Sequence, residues 1–291
     1  MNYRTIGKTG LKVSEIGLGT EYLYNQPRET VVTLIQNAIN NGINYFDLVF
    51  NVSHYIKNLS EGFKGFRDKI IITSHLGTTE IDGKAQRTRD LKESEKAFLN
   101  TLSILKIDYV DFINIQFVKN NEYEAIISKN GLLGLAKRLQ EEGKARFIGV
   151  STHDISIGMK AAKSGNFDMI MNQINLVNNA MPGKSEFLKT CEKERIGLIA
   201  IKPFAGGKLL QRNHTVYIAK YQSGGISLKK KIPSFITPIK CLNYTLSQVG
   251  VSSTIPGIKN LQELEEIYTY FTAPEDEKDF SDLLRVFENI F

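Results

Sequence analysis

Apolar residues in this chain come in short blocks, and longer mixed segments separate them. The blocks are Val13–Gly19, Asn44–Val49, Lys69–Leu76, Tyr109–Phe117, Ala145–Ser151, Asp168–Ile174, Gly197–Pro203 and Ser252–Pro256. They are rich in Ile, Val and Phe, the pattern of strands buried on both faces. The segments between them place apolar residues at helical spacing. Glu29–Asn40 follows Pro27 and stops before Asn41-Gly42, and Leu132–Glu142 carries Leu132, Leu135, Ala136 and Leu139 on one face before Gly143. Asp90–Leu105 opens on an acidic cap, and Ser185–Glu194, Ile239–Ser247 and Leu261–Phe271 repeat the pattern.

Eight such alternations, with no linker dividing them, predict one (β/α)8 barrel spanning residues 1–291. A two-domain doubly wound fold is the alternative. It calls for a GxGxxG turn after the first strand, and Gly17-Leu18-Gly19 is only a fragment of one. In a barrel the active site lies at the C-terminal ends of the strands, so those ends carry the functional reading. They read Gly19-Thr20-Glu21, Asp47 with Phe50, Asn51, His54 and Tyr55, Ser74-His75, Gln116, Ser151-Thr152-His153, Asn172-Gln173 with Asn175, Lys202 to Lys208, and Pro256 to Lys259.

Composition narrows the classes. The 291 residues are 42% hydrophobic, enough for a large core. No stretch approaches the roughly 18 apolar residues of a membrane span, and the N-terminal MNYRTIGKTG lacks a secretory apolar segment. Cys191 and Cys241 have no metal spacing, which predicts reduced thiols in a cytoplasmic protein. The net charge of +6 favours anionic partners without naming one. Basic residues are scattered rather than interleaved with aromatics, which argues against nucleic acid. The exception, Lys229–Lys231, lies in the basic segment 212–238, expected as an excursion after strand seven that either folds over a ligand or has no role.

Each polar strand end has a bland alternative: Asp47 as a helix cap, His75 as a satisfied core histidine, Asn172-Gln173 as a buried amide pair. Their convergence on one rim of apolar strands favours a site. The turn "KPFAGGKLL" suits close approach of a ligand to the backbone, with Lys202 and Lys208 available to phosphate. "IPGIKN" before "LQELEEI" offers a helix N-terminus and Lys259 to an anion.

The stretches "YRTIGKTGLKVSEIGLGT", "AINNGINYFD", "LKIDYVDF", "EEGKARFIGVST", "MNQINL", "GLIAIKPFAGGKL" and "VSSTIPGIKNLQELEE" resemble the aldo-keto reductases, in the same order and at the same barrel elements. The resemblance implies an enzyme without metal that binds NADPH or NADH, NADPH rather than NADH, and reduces a small carbonyl or quinone-like substrate. That family pairs an Asp, a Tyr, a Lys and a His around the carbonyl. Here Asp47 matches the Asp, Val52 stands at the Tyr position, His75 at the Lys position and Gln116 at the His position. The resemblance therefore implies an altered proton-transfer set, with two candidate repairs. Tyr55, three residues beyond the expected place, is one. His75 is the other, since a neighbouring carboxylate favours a protonated imidazole.

The implied cofactor contacts are Gly19, Thr20, Ser151, Thr152, Asn172, Gln173, Lys202, Phe204, Gly206, Gly207, Lys208, Gly257, Lys259, Gln262 and Glu266. Glu263 lies near the place of the arginine that grips a 2′-phosphate in relatives. "YFDLVF", "HLG" and "EKDFS" are similar to a branch that continues into a ferredoxin-like tail. No cysteine cluster follows here, so no iron–sulfur cluster is expected. The competing functions are an NAD(P)H-dependent oxidoreductase, a dinucleotide-binding barrel that senses or scaffolds without turnover, and an isomerase built on His75 and Asp47.

Overall fold

The computed structural model describes residues 1–211, 233 and 235–288, with the backbone of Thr215–Ala219 and Ser227–Lys231. Eight parallel strands pair in chain order: β1 (Leu18–Gly19), β2 (Tyr45–Leu48), β3 (Ile71–Leu76), β4 (Val110–Ile115), β5 (Ala145–Thr152), β6 (Met169–Gln173), β7 (Gly197–Ile201) and β8 (Val251–Ile255). Parallel bridges Ile16–Thr254 and Gly19–Gly257 join the first strand to the last. Across this seam Gly17 N donates to Thr254 O at 2.9 Å, and Gly19 N to Pro256 O at 3.2 Å. The sheet is thereby a closed (β/α)8 barrel. Gly17 is required at the seam, because a Cβ there would lie 2.8 Å from Tyr45 O.

The barrel helices are α1 (Arg28–Asn40), α2 (Ser53–Phe63), α3 (Leu91–Leu105), α4 (Leu132–Glu141), α5 (Ile155–Lys163), α6 (Lys184–Lys193), α7 (Pro238–Leu246) and α8 (Leu261–Tyr268). Side-chain caps start several of them: Asp90 accepts from Glu93 N, Asp154 from Ser156 N, Thr237 from Lys240 N and Asn260 from Glu263 N. The main core lies between these helices and the sheet. A smaller cluster fills the barrel interior, where Tyr45, Phe112, Met169 and Met171 meet Ile6 and Val13.

That floor explains one departure from the sequence reading. The run Val13–Gly19 is not one strand. Lys12–Ser14 pairs antiparallel with Tyr3–Thr5, and only Leu18–Gly19 joins the barrel. Glu15 breaks the run. It forms an ion pair with Arg4 at 2.7 Å, and the same guanidinium donates to Leu246 O and Val251 O. The hairpin is thus clamped beneath the seam. Helices α2 and α5 were not anticipated. Within the segment 212–238, residues 212–214, 220–226, 232 and 234 lie outside the described residues, and Thr215–Ala219 pairs antiparallel with Ser227–Lys231.

One buried lysine stands apart from the site. Lys184 opens α6 and is 3% exposed. Its Nζ donates to Asn178 Oδ1 at 3.1 Å and to Tyr244 Oη at 2.6 Å, while Tyr244 donates its own proton to Asn179 Oδ1. Burial pushes the Lys184 ammonium down to about 7.

Candidate active site

Strands β2, β3 and β4 bring three polar side chains together in the upper barrel. The register sets His75 beside Asn114, and Asp47 follows one strand away. His75 Nε2 lies 2.6 Å from Asp47 Oδ1, and Asn114 Nδ2 lies 3.2 Å from His75 Nδ1. Which ring nitrogen carries hydrogen follows from which end of the Asn114 amide faces Nδ1. Both ring nitrogens are engaged. Asn51 steadies this layer by donating to His75 O at 2.7 Å, and its own Oδ1 accepts from Thr101 Oγ1 at 3.0 Å. Buried polar groups satisfied in this way are rigid.

Asp47, His75 and Gln116 line one cavity of about 330 Å³. Gln116 Nε2 donates one hydrogen to Val49 O at 2.9 Å, leaving a second on the same nitrogen. Phe50 and Phe117 supply apolar wall, and Glu21, Tyr22, Arg87, His153 and Lys202 are the other ionisable groups at the lining. Arg87 and Arg89 share the carboxylate of Glu122. Burial, then the charge of Lys202, pushes the His153 imidazole down to about 3, so it is neutral at physiological pH.

A second cavity of about 240 Å³ adjoins the first and shares Tyr22, Lys202 and Gly257 with it. Phe204, Gly206, Gly207, Lys259, Glu263 and Glu266 also line it. The turn after β7 holds Lys202, Ala205, Gly206 and Gly207 at positive φ. Nothing lies within 4 Å of where a Cβ would sit on Gly206 or Gly207, so that turn leaves an open cradle for a ligand. A nicotinamide dinucleotide fits the two joined cavities and the glycine turn. Among the described residues no group of His, Cys, Asp or Glu could hold a metal ion.

The residues expected from the sequence divide. Gly19, Ser151, Lys202, Phe204, Gly206, Gly207, Gly257, Lys259 and Glu266 line one or both cavities. Thr20, Thr152, Asn172, Gln173, Lys208 and Gln262 line neither. Thr152 Oγ1 is tied to Val118 O, while the amide of Gln173 is buried with neither side-chain atom paired. Tyr55 also lies off the cavity. It is 1% exposed, packs against Tyr24 and Phe50, and its hydroxyl is bonded to Thr20 Oγ1. Burial raises its pKa, further from a proton donor at neutral pH. The sequence reading did not single out Tyr22, Asn114 or Phe117. Asn114 had a signal, since it is polar within the apolar run VDFINI.

Comparison with known proteins adds to this geometry. The model of the Aldo/keto reductase family matches residues 15–287. L-galactose dehydrogenase of Arabidopsis thaliana is 24% identical, over 99% of this chain and 94% of that protein. L-glyceraldehyde 3-phosphate reductase of Escherichia coli K12 is 26% identical, over 91% of this chain and 86% of its own length. The holo structure of an aldo-keto reductase from Bacillus halodurans superposes with a TM-score of 0.80 at 17% identity, covering 100% of this chain and 97% of that one.

Proposed function

Since this chain belongs to the aldo/keto reductase family and is an oxidoreductase, we propose that it reduces a small carbonyl or quinone-like compound with an atypical proton source. The observation that carries the proposal is the 2.6 Å pair of Asp47 and His75 on the wall of a cavity that opens onto a glycine-lined groove. Reduced nicotinamide, when bound, supplies the hydride. Lys202, the backbone of Gly206 and Gly207, and Tyr22, which lines both cavities, would hold the dinucleotide. The substrate oxygen takes its hydrogen bond from the second amide hydrogen of Gln116. Phe50 and Phe117 exclude water from the reacting carbon.

The proton comes through Asp47. His75 presents no free nitrogen to the cavity, Tyr55 is held behind it by Thr20, and burial, then the charges of Glu21 and Glu263, raise the pKa of Tyr22, the phenol at the lining. Asp47 Oδ1 is occupied by His75, which leaves Oδ2 for the substrate. The couple of Asp47 and His75 gives up one proton to the substrate oxygen and regains one from solvent. A buried pair with a fixed hydrogen bond is suited to general acid work.

The groove's far end carries one lysine, Lys259, and two carboxylates, Glu263 and Glu266. Carboxylates accept hydrogen bonds from a 2′-hydroxyl and repel a 2′-phosphate. This supports NADH over NADPH, opposite to the preference implied by family resemblance. Cys191 and Cys241 are buried free thiols, in keeping with work in a reducing cytoplasm.

Fluorescence titration with NADH and NADPH, followed by cofactor oxidation across a panel of aldehydes and quinones, tests the proposal. Oxidation with at least one substrate class supports it. Binding without oxidation by any member supports instead a dinucleotide-binding barrel without turnover, the reading favoured by the turned-away Tyr55. Absence of binding defeats both.

A further inference from the structure

We propose that Asn114 is a positioning residue that fixes the tautomer of His75 and thereby places the transferable proton on Asp47. The use of that proton rests on the oxidoreductase reading above; the tautomer does not. Asn114 lies on β4 with no exposed surface, level with His75 on β3. Its Nδ2 contacts His75 Nδ1 at 3.2 Å and Met171 Sδ at 3.7 Å, and its Oδ1 is buried with no partner. Room for that oxygen is made by Gly149 on β5, where a Cβ would lie 2.7 Å from it.

The surroundings choose which end of the amide meets the ring. Turned over, the amide would set its oxygen against the lone pairs of Met171 Sδ and leave an N–H unpaired in the core. Buried orphan N–H groups are rarer than under-satisfied carbonyl oxygens. The N–H end therefore faces His75, and Nδ1 must accept. The ring's one hydrogen then sits on Nε2 and points at Asp47 Oδ1.

The charge balance follows. A further proton entering the couple has no place on Nδ1 while Nδ2–H occupies it, so it settles on Asp47 Oδ2. As the hydride reaches the carbonyl carbon, the Oδ2–H bond breaks and an O–H bond forms on the substrate oxygen. Asp47 is left as a carboxylate holding His75 Nε2–H. Solvent entering the cavity restores the proton. The other titratable groups facing this cavity are Glu21 and Tyr22 after β1, Arg87 from the hairpin of Thr78–Ile81 and Lys84–Arg87 after β3, and Lys202 after β7, with neutral His153 after β5. Among the described residues the His75 ring is hydrogen-bonded from β2 and β4, by Asp47 and Asn114.

Nitrogen NMR on ring-labelled histidine tests this on the intact protein, with the His75 signals assigned from a His75→Gln spectrum. At pH 7 wild-type His75 should show an unprotonated Nδ1 and a protonated Nε2. Asn114→Asp should reverse the demand at Nδ1, so that both nitrogens carry protons. It should lower kcat at least about tenfold, with KM within about twofold, and shift the pH profile of kcat. Asn114→Leu should lower kcat likewise and give a mixture of tautomers. A protonated Nδ1 in the wild type at pH 7 overturns the proposal, as does Asn114→Asp with an unchanged ring pattern and kcat. If no substrate is turned over, the oxidoreductase reading falls, and the ring signals still decide the tautomer.

Discussion

Replacing Lys184 by Met should make the protein's stability less dependent on pH above neutrality. The argument starts from hydrogen counting. Nζ faces two acceptors, Asn178 Oδ1 and Tyr244 Oη, because the Tyr244 proton is already given to Asn179. A neutral amine has two hydrogens and both meet oxygens; the third hydrogen of an ammonium meets no further acceptor oxygen among the described residues and has only the Tyr244 ring, its centroid 4.9 Å from Nζ. Its place at the N-terminus of α6 disfavours a cation further. The folded-state value accordingly falls from the ordinary 10.5 to about 7. Between these values the unfolded chain binds more protons than the folded one, so stability rises with pH across that window. Below pH 7 the full cost of burying the cation is present. At about 1.4 kcal/mol per proton per pH unit, the step from pH 7 to pH 9, less partial titration at its lower end, comes to about 2 kcal/mol. Met fills the same space, and Asn178 Oδ1 keeps its bond from Asn175 N at 3.0 Å. Urea unfolding of wild type and Lys184→Met at pH 7 and pH 9 gives a double difference in which all other titrating groups cancel, including Cys191 and Cys241. A wild-type gain exceeding the variant's by about 2 kcal/mol is expected. Equal gains would show that Lys184 keeps its proton in the folded state, and the hydrogen count would be refuted.

Four further outcomes are expected. Asp47→Asn should lower single-turnover reduction by about 10²- to 10⁴-fold, the range for loss of a general acid; a loss below about threefold would remove Asp47 from that role. Tyr55→Phe should leave turnover within about threefold of wild type and cost about 1 kcal/mol in denaturant unfolding, because its hydroxyl serves Thr20 and not the cavity; a collapse of turnover would return Tyr55 to the chemistry. Calorimetric titration should show NADH binding more tightly than NADPH, and Glu263→Gln should narrow the gap; tighter NADPH binding in the wild type would refute the charge argument at α8. Gly149→Ala should cost about 1–3 kcal/mol and disturb the His75 ring signals, since the new methyl falls on Asn114 Oδ1 and Met169 Cε, each 2.7 Å away; unchanged signals would mean that the amide has room to spare.

The barrel was legible because its strands are buried on both faces, which forces runs such as VDFINI and GLIAI. What failed locally was a change of direction inside an apolar run: Val13 faces the floor and Leu18 the wall, and only Glu15 between them marks the break. Helix α2 is hidden in the sequence because its first turn, with His54 and Tyr55, also reads as the polar end of a strand. Its buried positions, Tyr55, Ile56, Leu59 and Phe63, follow helical spacing. Once that helix is recognised, Tyr55 belongs to its inward face, and the turn away from the cavity follows. The cavity edge could be read from strand ends because polar groups there interrupt apolar strands. Asn114 lies two residues inside such an end, where only its contact with a neighbouring strand reveals a purpose. That contact depends on register, which no local pattern specifies.

The seam between β1 and β8 ties the barrel's integrity to its occupancy. Gly19 and Gly257, which bridge the seam, also line the cavity beside Asp47. A molecule lodged there touches both edges of the join and laces the first strand to the last. Ligand should therefore slow amide hydrogen exchange at Gly17, Gly19 and Thr254 more than in the strands opposite, and the place where the cylinder is thinnest becomes the place where binding strengthens it most.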